Sequence, residues 1–145
     1  MNDTILRFGY PATLIADYRH WVVLLRPDQP TLGSLILAAT GEARAFGSLP
    51  AAAYAELGKV TADIEAALKR AVSYEKINYL MLMMVDPHVH YHVIPRYAGS
   101  RSAEGLTIPD AGWPKVPALG EAVTLDRPQV IRTAAWLKRH WRRQV

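Results

Sequence analysis

The 145-residue chain contains no cysteine. That excludes a disulfide framework, a cysteine-ligated zinc site and a thiol nucleophile, and it fits a reducing compartment. No apolar run reaches the ~18 residues of a membrane span. The opening MNDTILRFGYPATLIADYRHW leads no basic stretch into an apolar core, as a signal peptide would. A soluble, cytoplasmic protein with no membrane partner is therefore expected. Acid is missing from the C-terminal stretch: Arg127, Arg132, Lys138, Arg139, Arg142 and Arg143 stand there with no Asp or Glu among them. Such a patch reads either as a contact for an anionic partner, nucleic acid included, or as the solvated face of a terminal helix. Internal repeats and low-complexity tracts are lacking too.

What is present is an ordinary globular composition, 50% apolar and 21% charged, in a length that makes one domain over residues 1–145. Short β-type runs surround one long helix. HWVVLL at His20–Leu25 and SLILA at Ser34–Ala38 are short and apolar. The proline- and glycine-marked stretch between them turns the pair into a hairpin. Ser48 before Leu49-Pro50 predicts a helix start. Tyr54, Leu57, Val60, Ile64, Leu68 and Val72 then recur at helical spacing, with Lys59, Asp63, Lys69 and Arg70 mostly on the other side. Lys76–Val85, KINYLMLMMV, is apolar enough for a central strand covered on both faces. A further strand, His88–Ile94, is stopped by Pro95. Glycines and prolines over 98–126 predict an irregular excursion. A helix over Arg127–Arg143 closes the chain, with Pro128 in its first turn and Val130, Ile131, Ala134, Leu137 and Trp141 as its apolar face. The fold class expected is α+β: a mostly antiparallel sheet, one long helix packed on it, and a C-terminal helix.

The segment that carries chemistry is Asp86-Pro-His-Val-His-Tyr-His-Val-Ile-Pro-Arg96. On a strand, side chains alternate faces, so His88, His90 and His92 share one face and Val89, Tyr91 and Val93 the other. Neighbouring imidazoles then stand ~6.6–6.8 Å apart at the backbone, and the outer two about 13 Å apart. Three readings compete. The histidines could be a polar sheet surface. They could hold a metal, but the outer two are too far apart for one ion, so ligands would have to come from His20, His140, Glu42 or Asp86. Or they could do phosphorus chemistry: a neutral imidazole nitrogen is a nucleophile, and its phosphoramidate is labile to water. The middle histidine has a neighbour on each side to steady phosphate oxygens and the leaving group, which makes His90 the natural nucleophile.

HVHYHVIPR resembles the His-φ-His-φ-His-φ-φ signature of the histidine-triad superfamily, and its trailing Pro-Arg is similar to the diadenosine-polyphosphate-hydrolase-like branch. Gly33-Ser34-Leu-Ile-Leu resembles the family's Gly-His-Leu-φ-φ strand, and Ser48–Val72 its long helix. The resemblance spans roughly residues 18–97. It implies that His90 attacks the α-phosphorus to form a nucleotidyl-histidine, that His92 bonds phosphate oxygens and that His88 orients His90. Asn78 would contact phosphate or the leaving group. Arg96, read from its own chemistry apart from the resemblance, could clamp phosphate or pair with an acid after the strand. The resemblance also implies a homodimer, no resident cofactor, and a divalent metal only as companion of a nucleotide or dinucleoside polyphosphate substrate. Three positions depart from the pattern. Ser34 stands where the family has histidine, Arg26 where it has an acid or Asn for the ribose hydroxyls (with Asp28 nearby as a substitute), and Met83-Met84-Val85-Asp86 where it has a Gly-Gln-Ser/Thr phosphate segment. The function expected is a nucleotide hydrolase or nucleotidyl transferase. The alternative is a non-catalytic nucleotide- or RNA-binding regulatory protein using its basic C-terminal helix.

Overall fold

A computed structural model of the protein describes residues 1–142; Arg143, the expected last residue of the C-terminal helix, lies outside the described residues. Five antiparallel strands make the main sheet: β1 (Leu14–Asp17), β2 (Trp21–Leu25), β4 (Leu35–Ala39), β6 (His90–Arg96) and β5 (Lys76–Leu80), in that spatial order. Two-residue β3 (Asp28–Gln29) interrupts the expected hairpin between β2 and β4, which pair from Trp21↔Ala39 to Leu25↔Leu35. Strands β2 and β4 are buried at every position. Their unbroken apolar runs are the mark of strands covered on both faces.

One cover is helical. Helix α2 (Ala51–Val72) and helix α3 (Arg127–His140) share a core with the odd-numbered side chains Val23, Leu25, Leu35, Leu37 and Val93. From the predicted stripe of α2, Val60, Ile64, Leu68 and Val72 are buried, each worth roughly 1.5–3 kcal/mol. Tyr54 is exposed and Leu57 half-buried. Asp63, expected on the outer side, is fully buried and accepts a hydrogen bond from the Tyr18 hydroxyl at 2.7 Å. Ser48 does not cap the helix: it ends a 3₁₀ turn over Phe46–Ser48, and Pro50 is the N-cap without a side-chain bond. Helix α3 has the stronger start, a reciprocal capping box between Asp126 and Gln129 with Pro128 in the first turn. Its Ile131 faces solvent, and Trp141 follows the helix and packs on the core from beyond its end.

On the opposite face of the sheet, part of β2 and β4 is covered by the segment that precedes β1. Helix α1 (Asp3–Arg7) lays Ile5 against Val22, Leu24, Ile36 and Ala38, with Phe8, Tyr10 and Leu14 around it. The sheet therefore begins before the expected core at residue 18.

Lys76–Val85 is not a central strand. Only Lys76–Leu80 pairs, as the edge strand β5 against β6 alone. Past it the chain leaves the sheet, with Met83 at φ 49°. The apolar run is divided: Met81 and Met83 pack towards the core, while Leu82, Met84 and Val85 stay exposed. Strand β6 starts at His90 instead of His88 and runs through Pro95 to Arg96. Proline is tolerated because the ladder with β4 has already ended at Leu35↔Val93. The expected irregular segment holds a hairpin of β7 (Ser100–Ala103) and β8 (Leu106–Pro109), turned by Glu104 and Gly105 at φ 53° and 78°, the positive pair that a two-residue I′ turn requires. Strand β9 (Val123–Thr124) then pairs with β3. Among the described residues, no helix is long and apolar enough to cross a membrane.

Candidate active site

Strand β6 places His90 and His92 on the sheet face covered by α1, with ring centroids 5.2 Å apart. The intervening Tyr91 packs towards the helical core. Both imidazoles line a cleft of ≈ 330 Å³ together with Arg26, Phe8 and the Leu82–Asp86 segment. Phe8 packs against both rings, 5.4 Å from His90 and 6.0 Å from His92. His90 is only 2% exposed, so a ligand reaches it through the cleft.

Hydrogen bonds fix which nitrogen of each ring carries the proton. His90 Nδ1 lies 2.7 Å from the backbone carbonyl of His88. A carbonyl only accepts, so Nδ1–H donates and Nε2 keeps a free lone pair. His92 is the reverse. Arg26 Nε donates to His92 Nδ1 at 3.2 Å, and a guanidinium does not give up its proton, so the His92 proton sits on Nε2. Burial first, then the charge of Arg26 and the neighbouring His90, push the His92 pKa down to about 4. The ring is therefore neutral at pH 7 and a hydrogen-bond donor through Nε2. Burial also lowers the Arg26 pKa, against the pull of Asp28. Among the described residues Thr133 Oγ1 is the one sealed side-chain polar atom without a partner, so the unpartnered Nε2 atoms of His90 and His92 both reach the cleft. One ring presents a lone pair there, and the other presents a proton.

His88 does not join them. Its ring is buried, receives the Thr4 hydroxyl proton at Nδ1 (2.9 Å) and donates from Nε2 to Glu42 at 3.1 Å. Its backbone N–H also donates to Thr4 Oγ1 at 3.2 Å. His90 is oriented by the His88 carbonyl and not by the His88 imidazole. This corrects the simple alternation, because His88 precedes β6 and the strand rule does not yet apply.

The remaining expected site residues divide. Arg26 is in the cleft, with Nη1 also held by the Asp28 carbonyl at 2.6 Å. Asp28 is not: its carboxylate accepts from Thr124 Oγ1 at 2.8 Å across β3 and β9. Ser34 is fully buried and staples the turn, its hydroxyl bonded to the Thr31 carbonyl and hydroxyl at 2.8 and 2.9 Å. Asn78 and Arg96 lie farther along the same face, outside this cleft. Arg96 is the partner of an acid and no phosphate clamp here: it grips Asp110 with two bonds, 2.7 and 3.0 Å, and donates to Asn78 Oδ1 at 2.8 Å. Asp86 is paired with Arg7 at 2.8 Å. Among the described residues no three His, Asp or Glu side chains converge as metal ligands. Thr4 and Phe8 were invisible in the sequence, since a five-residue helix leaves no periodic signal.

A five-stranded antiparallel sheet, a long helix and a C-terminal helix, with paired histidines on the central part of the sheet, make this the fold of the histidine-triad proteins. The structure is similar to a histidine triad protein from Sinorhizobium meliloti 1021, with TM-score 0.73 and 25% identity over 97% of this chain and 95% of that one. It is similar also to one from Bradyrhizobium japonicum, with TM-score 0.71 and 21% identity over 97% and 96%. A third is a hypothetical histidine triad nucleotide-binding protein from Sulfolobus tokodaii, with TM-score 0.67 and 17% identity over 94% and 88%. No protein-family model and no curated protein matches the sequence.

Proposed function

We propose that this protein is a nucleotide hydrolase or nucleotidyl transferase that cleaves a phosphoanhydride or phosphoramidate bond through a covalent His90 intermediate. The observation that carries the reading is the 2.7 Å contact between His90 Nδ1 and the His88 carbonyl, which leaves a nucleophilic lone pair on Nε2 without any general base. In the first step Nε2 forms an N–P bond at the α-phosphorus. The bond from phosphorus to the leaving oxygen or nitrogen breaks, and the leaving group departs with its electron pair and takes a proton from solvent. In the second, water or another acceptor attacks phosphorus, loses a proton, and the N–P pair returns to Nε2. Arg26 Nε contacts His92 at Nδ1, 3.2 Å away, and the His92 Nε2–H with the Arg26 cation would stabilise charge growing on the phosphate oxygens. Attack by a neutral imidazole needs no resident cofactor; a divalent cation enters only as companion of the polyphosphate.

The nucleotide-binding description of the Sulfolobus tokodaii relative supports the substrate class. A homodimer is part of the same reading: Phe46, Tyr54, Tyr79 and Tyr91 form a chain of ring contacts at 5.7–6.3 Å beside the unpaired edge of β5. The test is intact-mass spectrometry after a brief acid-free quench with diadenosine tetraphosphate, ATP or adenosine phosphoramidate. A gain of one nucleoside monophosphate mapping to His90 is expected. Product formed without that adduct, or an adduct elsewhere, overturns the assignment.

A further inference from the structure

A second cleft opens on the same face of the sheet as the histidines, and it is larger, ≈ 500 Å³. Residues paired across an antiparallel ladder share a face. Lys76, Asn78 and Leu80 pair with Arg96, Ile94 and His92, so this cleft continues the His90–His92 row along β6. From His92 to Arg96 is four residues of strand, about 13–14 Å. An extended molecule reacting at His90 would lie across both clefts.

The wall of the second cleft is the 112–117 loop, and it is bolted in place. Arg96, 3% exposed, donates to the Lys115 carbonyl at 2.8 Å while holding Asp110 and Asn78. A Cβ on Gly112 would sit 2.2 Å from the Val116 carbonyl oxygen, so the loop closes on itself only with glycine there. The charge is not balanced. Arg96 is cancelled by Asp110, but Lys76 and Lys115 both line the cleft with no acid beside them and make no ion pair among the described residues. Asn78 spends its carbonyl oxygen on Arg96, which leaves its amide N–H₂ as a donor. Trp113 adds a half-exposed indole to the same wall. Two free ammonium groups, an amide donor and an indole face suit an anion that carries an aromatic ring.

We propose that this cleft is a second binding site, taking the departing part of the substrate: a phosphate chain ending in an aromatic base. The inference rests on the reaction proposed for His90 and extends it, since it makes an extended polyphosphate the preferred substrate over one with a small leaving group. Surface lysines and a packing tryptophan would produce no such preference.

The experiment compares kcat/KM for diadenosine tetraphosphate and for adenosine phosphoramidate, in the wild type, in the Lys76→Glu/Lys115→Glu double variant and in Trp113→Ala. The expected result is a loss of roughly tenfold or more in the preference for diadenosine tetraphosphate in each variant, about 1.4 kcal/mol per tenfold, carried by KM. An unaltered preference overturns the proposal. So does an equal loss on both substrates, which marks a structural role. Equilibrium dialysis of diadenosine tetraphosphate against the same proteins reads the site without turnover. If the wild type binds it and the double variant binds at least tenfold more weakly, the second site stands even where no His90 adduct forms. Equal binding by both proteins refutes it.

Discussion

The Nδ1 atom of His90 and the carbonyl oxygen of His88 are 2.7 Å apart, so a histidine side chain is set by its neighbour's backbone. The two residues must then respond differently to mutation. His90→Ala should abolish the nucleotidyl adduct and reduce turnover by about 10⁴-fold or more. His88→Asn keeps the carbonyl and should lose only about tenfold. Steady-state kinetics on both variants checks this, and an equal loss would mean that the His88 ring touches the reaction.

Thr4 holds His88 from two sides, accepting from its backbone N–H and donating to Nδ1. Thr4→Val leaves both groups buried without a partner. The expected cost is about 1–3 kcal/mol in denaturant unfolding, together with a shift of the His90 ¹⁵N signals away from the Nδ1–H tautomer. Retention of the wild-type NMR tautomer would show that the His88 carbonyl needs no support from α1.

His92 is held neutral, with its pKa lowered from 6.5 to about 4. The unfolded chain binds this proton near pH 6.5 and the folded one only near pH 4. Stability therefore falls as pH drops through that window and is flat on either side of it. The contribution lost is on the order of 2 kcal/mol, once solvent screening at the cleft is allowed for. Unfolding titrations of wild type and His92→Asn, compared between pH 7 and pH 4, should show the wild type losing more stability by that amount. Parallel curves would refute the assignment.

Arg26 offers only donors to the cleft, and the nearby carboxylates of Asp28 and Asp86 are tied to Thr124 and Arg7. The vicinal hydroxyls of a ribose find no acceptor on Arg26 itself, the position expected to hold them. Wild-type protein should discriminate little between ribo- and 2′-deoxyribonucleotide substrates. Arg26→Asp should shift preference towards the ribonucleotide by roughly tenfold, one hydrogen bond's worth, at a cost in kcat from the lost contact to His92. An unchanged profile would place the sugar elsewhere.

Much of this was written locally. The stripe of α2, the Pro128 start and apolar spacing of α3, the apolar runs of β2 and β4 and the alternation Val89, Tyr91, Val93 each follow from period and residue type, because secondary structure repeats with fixed spacing. The likeness of HVHYHVIPR to the triad signature placed His90 and His92 in one site, and both line the same cleft. Position in the sheet was not local. Lys76–Leu80 has the composition of a covered strand, yet strand order puts it at the edge, and an apolar run does not record which neighbours it will meet.

Sequence alone thus determined the two long helices, the buried runs of β2 and β4, the face of β6 that carries His90 and His92, and the residue types able to do phosphorus chemistry. Tertiary structure decided what those residues became. It turned His88 towards Thr4, gave Arg96 to Asp110, buried Ser34 in its own turn and set Arg26 against His92. The reason is physical: a hydrogen bond is assigned by whichever partner folding brings within about 3 Å, and four of these partners lie on segments that carry no periodic signal.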